Sequence, residues 1–259
     1  MSGSAHDVWR KLAALTPARI GLGRAGTGLP TSAYLKFSMA HAAARDAVHA
    51  PFDAAELGGR IESLGFPVLQ VASRAASREV YLRRPDFGRW LDEPSLRLID
   101  GVANKDVDLV IVVCDGLSST AITGNAVPML EALRPHIKRL GLSIGPVIVA
   151  REARVALGDE IGERLGTKMV LVLIGERPGL SSPDSLGTYL TFAPRVGRTD
   201  AERNCISSIR PGGLTYDLAA FKQAWLIEAA FARRLTGVNL KDNSDMALPG
   251  SADPTPLLG

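Results

Sequence analysis

The stretch Met169-Val-Leu-Val-Leu-Ile-Gly-Glu-Arg-Pro-Gly-Leu180 ends an apolar run with a carboxylate, Glu176, beside a cation, Arg177, ahead of a Pro-Gly turn. A carboxylate and a guanidinium can accept and donate charge-assisted hydrogen bonds, so together they can hold a polar ligand. The plainer alternative is a solvated turn carrying a surface ion pair. Asp115-Gly-Leu-Ser118 is a second candidate, also placed directly after an apolar run. A nucleophilic serine there would need a G-x-S-x-G elbow and a histidine base. The elbow is absent, and His6, His41, His49 and His136 lie away from the strand ends. Asp115 and Ser118 are therefore expected to fix their own turn through side-chain-to-backbone hydrogen bonds. Gly21-x-Gly23-x-x-Gly26 meets the bare dinucleotide string, but Pro30 interrupts the helix that should follow it. Cys114 and Cys205 sit in no CxxC, and the histidines have no metal-ligand spacing. Asp159 and Glu160 are neighbours on a helix, where adjacent side chains diverge. The residues provide no assembled catalytic set and no metal set. They describe a chain that holds a ligand while another chain does the chemistry.

Positioning Glu176 requires a strand, and six apolar or β-branched residues in a row suit one covered on both faces of a parallel sheet. Ligands of such sheets collect beyond the carboxyl ends of the strands. Further strands are expected over 108–114, 146–150 and 187–192, with helices over 125–140 and 155–165. This β-α-β-α-β order predicts an α/β fold, a parallel, right-handed, three-layer Rossmann-like sheet domain. Its bounds are set at 104–241, with Cys205 in a loop after the polar segment 196–203 and a last helix over 216–235.

A smaller, mainly helical region, 1–103, precedes the sheet domain. It begins with a helix over 1–15 carrying Val8, Trp9, Leu12 and Leu15. A glycine loop and a helix from Pro30 to about Val48, striped by Leu35, Met39, Ala42 and Ala43, come next. Gly58-Gly59 is expected to break the chain before a strand at 68–72. Arg78, Arg83, Arg84 and Arg89 interleave with Tyr81, Phe87 and Trp90, a mixture that marks interface cores. Partner contact and plain surface compete as readings of that run. Residues 242–259 read as a flexible tail.

With 46% hydrophobic and 22% charged residues, the chain is an ordinary globular protein. A net charge of +3, dispersed, is no nucleic-acid footprint. No apolar run approaches the ~18 residues needed to cross a bilayer. The N-terminus lacks a signal-peptide core. A soluble protein of the reducing cytoplasm is expected.

Five blocks then fall in one order. They are Ala-Arg-Ile-Gly-Leu-Gly-Arg-Ala-Gly at 18–26, Tyr-Leu-Arg-Arg-Pro-Asp-Phe-Gly-Arg at 81–89, Asp-Gly-Leu-Ser at 115–118, Gly-Glu-Arg-Pro-Gly-Leu at 175–180 and Cys-Ile-Ser-Ser-Ile at 205–209. On these blocks the chain, from Thr16 to Leu240, resembles the small (light, β) subunits of ethanolamine ammonia-lyase. The resemblance implies an adenosylcobalamin-dependent enzyme that converts ethanolamine to acetaldehyde and ammonia by a radical route. It implies a barrel-type large subunit that holds substrate, αβ pairs that assemble further, and a cytoplasmic site, free or inside a bacterial microcompartment. The family's small-subunit cofactor contacts fall on Val155, Glu176 and Cys205, with no catalytic or metal-binding residue on this chain. The Asp-x-His-x-x-Gly pattern is absent, so the cofactor is expected to keep its own base on cobalt. The segment before Thr16 is short for the family. A stand-alone nucleotide-binding protein or a purely structural subunit are the rival readings.

Overall fold

The structure is a computed structural model that describes residues 5–103 and 105–247. Residues 1–4 of the first expected helix, residue 104 of the expected linker and residues 248–259 of the expected tail lie outside the described residues.

One six-stranded sheet organises the molecule, in the order β1-β3-β2-β4-β5-β6. Its members are β1 (Val68–Ala72), β2 (Leu109–Cys114), β3 (Val147–Arg151), β4 (Met169–Gly175), β5 (Leu186–Phe192) and β6 (Asn204–Ile209). The described residues also form eight α-helices: α1 (Ala5–Ala13), α2 (Thr31–His49), α3 (Ala54–Glu62), α4 (Arg78–Arg83), α5 (Glu93–Asp100), α6 (Ser119–Leu140), α7 (Leu157–Leu165) and α8 (Tyr216–Arg233). Helices cover both faces of the sheet, and strand alternation assigns each side chain to one of two cores. Leu109, Ile111 and Val113 of β2 pack with Ile61 of α3, Leu130 of α6 and Ile227 of α8. Val110, Val112 and Cys114 pack on the other side with Ile99 of α5 and Ile161 of α7. Every residue of β2 and β4 is buried, and each large apolar side chain so enclosed contributes ~1.5–3 kcal/mol.

The sheet is mixed, which corrects the expected all-parallel arrangement. The strands β1, β3, β2 and β4 run parallel, but β5 is antiparallel to β4 and β6 to β5. The cause is chain length. Only residues 176–185 join β4 to β5, too few for the crossover of a dozen or more residues that a parallel return needs. β6 replaces the expected loop around Cys205. It is a half-exposed, polar strand, Asn-Cys-Ile-Ser-Ser-Ile, with only Ile206 and Ile209 buried. The sheet also takes β1 from before residue 103, paired in register with β3 from Val68↔Val147 to Ala72↔Arg151.

Gly58-Gly59 lies inside α3 and does not break it. Asp53 caps that helix by accepting from Ala55 N–H and Glu56 N–H, and Gly58 lets it approach Val68 and Gln70 of β1. The helix after β2 starts at Ser119, earlier than expected, because Ser118 caps it. Of the aromatics in the arginine-rich run, Tyr81 is fully buried while Phe87 and Trp90 are half-buried, and Arg74, Arg78 and Arg84 lie over the rings of Trp90, Tyr81 and Phe87. α1 and α2, by contrast, form an arm in which Ala47 is the only buried residue among 8–49. Of the expected tail, residues 244–247 make a single 3-10 turn, tied down by Lys222 of α8 to Asp245 at 2.5 Å. No helix among the described residues is long and apolar enough to cross a membrane.

Candidate functional site

The carboxyl ends of β2, β3 and β4 surround a cleft of about 430 Å³. β4 supplies its floor, Ile174 and Gly175, and then Glu176 and Arg177 at the rim. The turn after β3 supplies Arg154 and Val155, and the turn after β2 supplies Leu117. Tyr189 of β5 and Tyr81 of α4 close the sides. This is the position the sheet's polarity predicts for a ligand.

Two glycines let the loops meet. Leu117 N–H donates to Gly175 O at 2.9 Å. A Cβ on Gly116, whose φ is +58°, would collide with that same carbonyl, and one on Gly175 would strike the carbonyl of Ser118. The two turns therefore touch backbone to backbone, an approach only glycine permits.

Asp115 fixes the turn after β3. Its Oδ1 accepts from Gly116 N–H at 2.9 Å and Ala153 N–H at 3.1 Å, and its Oδ2 from Glu152 N–H at 3.0 Å and Arg78 Nη1 at 3.4 Å. Arg78 also donates to Glu152 at 3.1 Å, to Gly116 O at 2.8 Å and to Val48 O at the end of α2 at 2.7 Å. Glu152 takes a left-handed φ of 50°, uncommon for a residue with a side chain, and the carboxylate clamp holds it there. Burial, then the charge of Glu152, pushes the Asp115 carboxyl up to about 7. The turn-fixing role expected of Asp115 thus extends to a second loop. Ser118, besides capping α6, donates to Pro183 O at 2.8 Å.

Glu176 does not pair with Arg177. Its Oε2 accepts from Ser185 Oγ at 2.5 Å and from Ser208 N–H at 3.2 Å. Ser208 can donate because β6 carries one extra residue between its pairings Ile206↔Thr188 and Ile209↔Leu186. Ser208 takes the left-handed φ of 63° in this bulge, and bulges commonly re-aim backbone groups near sites. Glu176 Oε1 packs over Gly187 and has no protein donor among the described residues. One oxygen is anchored and the other remains available.

Tyr189 and Cys205 face one another across β5 and β6. Burial, then the neighbouring Cys205, raises the Tyr189 phenol. Cys205 is exposed as a residue, but desolvation of its sulfur raises the thiol, against a lowering hydrogen bond with Tyr189 and with Glu176 adding to the rise. Both therefore stay protonated at neutral pH. Arg154 packs its stem over Gly88 and sets its guanidinium 4.3 Å from the Tyr81 ring centroid, with its Nε buried and unpartnered. Arg177 is exposed and has no ion-pair partner among the described residues.

Val155 and Glu176 therefore line the same cleft. Cys205 stands one strand beyond it, against Tyr189. Sequence reasoning missed Tyr81, Leu117, Arg154 and Tyr189 as cleft residues. Only Arg154 carried a local signal, an unpaired arginine directly after a strand. Tyr189 could be placed only through its pairing with β6. The glycine loop is no phosphate cradle: Gly21 lies beneath Trp9, whose Cβ would stand 2.7 Å from a Cβ added there.

The sequence matches the family model described as ethanolamine ammonia-lyase light chain (EutC) over residues 6–241. Among curated relatives, it is 56% identical over 235 residues to an ethanolamine ammonia-lyase small subunit of Rhodopseudomonas palustris, covering 91% of this chain and 90% of the relative. It is 53% identical over 256 residues to that of Pseudomonas aeruginosa, covering 97% and 94%. With the small subunit of Azotobacter vinelandii it shares 52% over 249 residues, covering 95% and 92%.

Proposed function

The chain belongs to the ethanolamine ammonia-lyase light-chain family, the small subunits of a lyase complex, and we propose that its strand-end cleft forms one wall of an adenosylcobalamin pocket completed by the large subunit. The observation that carries this reading is convergence. Val155 and Glu176, on the ends of two different strands, line one cleft, and Cys205 abuts Tyr189 at its side.

The residues fit such a group. A corrin has an apolar edge, amide arms that both donate and accept, and a nucleotide loop with a phosphate. The cleft offers Val155, Leu117 and Ile174 as apolar surface, the unpaired Oε1 of Glu176 as an acceptor, and the guanidinium groups of Arg154 and Arg177 as donors. When bound, adenosylcobalamin supplies the radical that converts ethanolamine to acetaldehyde and ammonia. This chain's residues bind and orient. Glu176, anchored through Oε2, presents Oε1 to an amide or hydroxyl donor, and a charged acceptor strengthens that bond. Val155 gives van der Waals contact, and Cys205 acts as a small polarizable neighbour with its proton retained. Residues 104–241 carry most of this site, with Tyr81 contributed from residues 1–103, and residues 1–103 carry the partner contacts, chiefly through α1 and α2. The tail role of 242–259 and a cytoplasmic location, free or in a microcompartment, complete the reading.

The test is reconstitution. The chain alone should show no lyase activity and should gain it with a large subunit and adenosylcobalamin. Glu176→Ala should weaken cofactor affinity of the two-chain complex by about tenfold, the range for losing a hydrogen bond to a charged group. Unchanged affinity would remove Glu176 from the pocket.

A further inference from the structure

Positive charge in the cleft exceeds what its own carboxylate can answer. Arg154 and Arg177 both line it, and Glu176, the one carboxylate among the lining residues, has one oxygen engaged by Ser185 and Ser208. Arg177 has no acceptor among the described residues. Arg154 presents a buried Nε–H that no protein atom accepts. A buried cationic donor left unpaired is costly, and such groups in folded proteins ordinarily have a partner. The guanidinium is also held in place, by Gly88 beneath its stem and by the Tyr81 ring, 4.3 Å from its centre. Tyr81 in turn is fixed through its hydroxyl, which donates to Ala153 O at 3.2 Å. The result is a preset cation beside a second, exposed one.

We infer that Arg154 and Arg177 form an anion subsite that takes a phosphodiester, the phosphate of the cofactor's nucleotide loop. This rests on the reading of the cleft as a cobalamin wall. A guanidinium presents paired N–H donors along its free edge, matching two phosphate oxygens, and Arg154 lines the cleft. Arg154 fixes the phosphate in register, and Arg177 adds charge from the rim. Glu176 then serves the amide arms, so the cleft reads two parts of one ligand with oppositely charged groups.

The experiment uses the reconstituted two-chain complex and three ligands: cobalamin, cobinamide phosphate, which keeps the phosphate but lacks the nucleoside, and cobinamide, which lacks both. Dissociation constants are measured by absorbance titration. Arg154→Gln should weaken cobalamin and cobinamide phosphate by about tenfold and leave cobinamide unchanged. Arg177→Gln, at an exposed position that does not threaten the fold, should weaken the same two ligands less and flatten their salt dependence. Equal losses for all three ligands, or none, in both variants would overturn the subsite. Val155→Trp separates this from failure of the underlying reading. If it leaves cobalamin binding intact, the cleft is not the cobalamin wall and both inferences fall. If it blocks all three ligands while the arginine variants show no phosphate-dependent loss, only the subsite is wrong.

Discussion

At the scale of single residues, the cleft is built by carboxylates used as backbone clamps. Asp115 spends both oxygens on the turns after β2 and β3, and so determines where Leu117, Arg154 and Val155 stand. This use has a pH signature. Burial and the charge of Glu152 lift its pKa to about 7, whereas an unfolded aspartate loses its proton near ~4. Between those values the folded chain holds a proton that the unfolded chain has released, so stability falls as pH rises through the window. The slope from this group is at most ~1.4 kcal/mol per pH unit. Asp115→Asn has no such proton. Its urea midpoint should therefore gain on the parent's from pH 4 to 7, whatever their offset. Parallel profiles for the two proteins would show that Asp115 stays ionised throughout. The Glu176 arrangement is the same device turned outward: one oxygen is clamped by Ser185 and Ser208, and the other is left for a ligand.

At the scale of elements, five of the six strands were legible, while the antiparallel direction of β5 and the existence of β6 were not. β2, β3 and β4 announce themselves as continuous apolar runs because both of their faces are covered. β6 gives no such signal. It lies at the sheet's edge and pairs on one side only, so its polar residues are solvated and its sequence reads as loop. Cys205 was consequently placed in a loop, and its contact with Tyr189 was invisible. Glu176 was legible because it follows a strong strand directly, whereas Val155, four residues past the end of β3, came only from the family resemblance. The last two strands are locked to the rest by a buried pair. Arg203, just before β6, donates to both carboxylate oxygens of Asp159 on α7 at 2.6 Å and to Thr191 of β5 at 2.9 Å. Their side chains are 2% and 3% exposed, so removing one leaves the other charged and enclosed. Arg203→Met should cost ~3–5 kcal/mol in urea unfolding, and the double variant with Asp159→Leu should recover much of that loss. A double variant no more stable than the single one would show that the cost lies in Thr191 and the loop, not in the orphaned carboxylate.

At the scale of the molecule, apolar surface is unevenly distributed. The sheet and its covering helices enclose most of their large side chains, with Leu98 of α5 an exception, while the arm of α1 and α2 exposes Trp9, Tyr34, Leu35 and Met39 at 48%, 60%, 55% and 72%. Patches of this kind on a folded chain mark interaction sites, and obligate subunit interfaces are large and apolar. The large subunit is the occupant that a small subunit requires. The arm is also joined to the cleft region at two points, one between α1 and α2 and one at the end of α2. Arg19 donates to Leu180 O at 3.1 Å, four residues beyond Glu176, and Arg78 links Val48 at the end of α2 to the Asp115 clamp. The placement of the arm and that of the strand-end cleft are thereby mechanically connected. Leu35→Asp combined with Met39→Asp puts charge on the patch without touching the core. The variant chain should keep its circular dichroism and melting temperature, because neither residue is buried, yet fail to co-elute with the large subunit in size-exclusion chromatography. Since the cleft's own residues are intact, it should also lose cofactor binding only to the extent that it loses its partner. Normal assembly of this variant would move the docking surface off the arm.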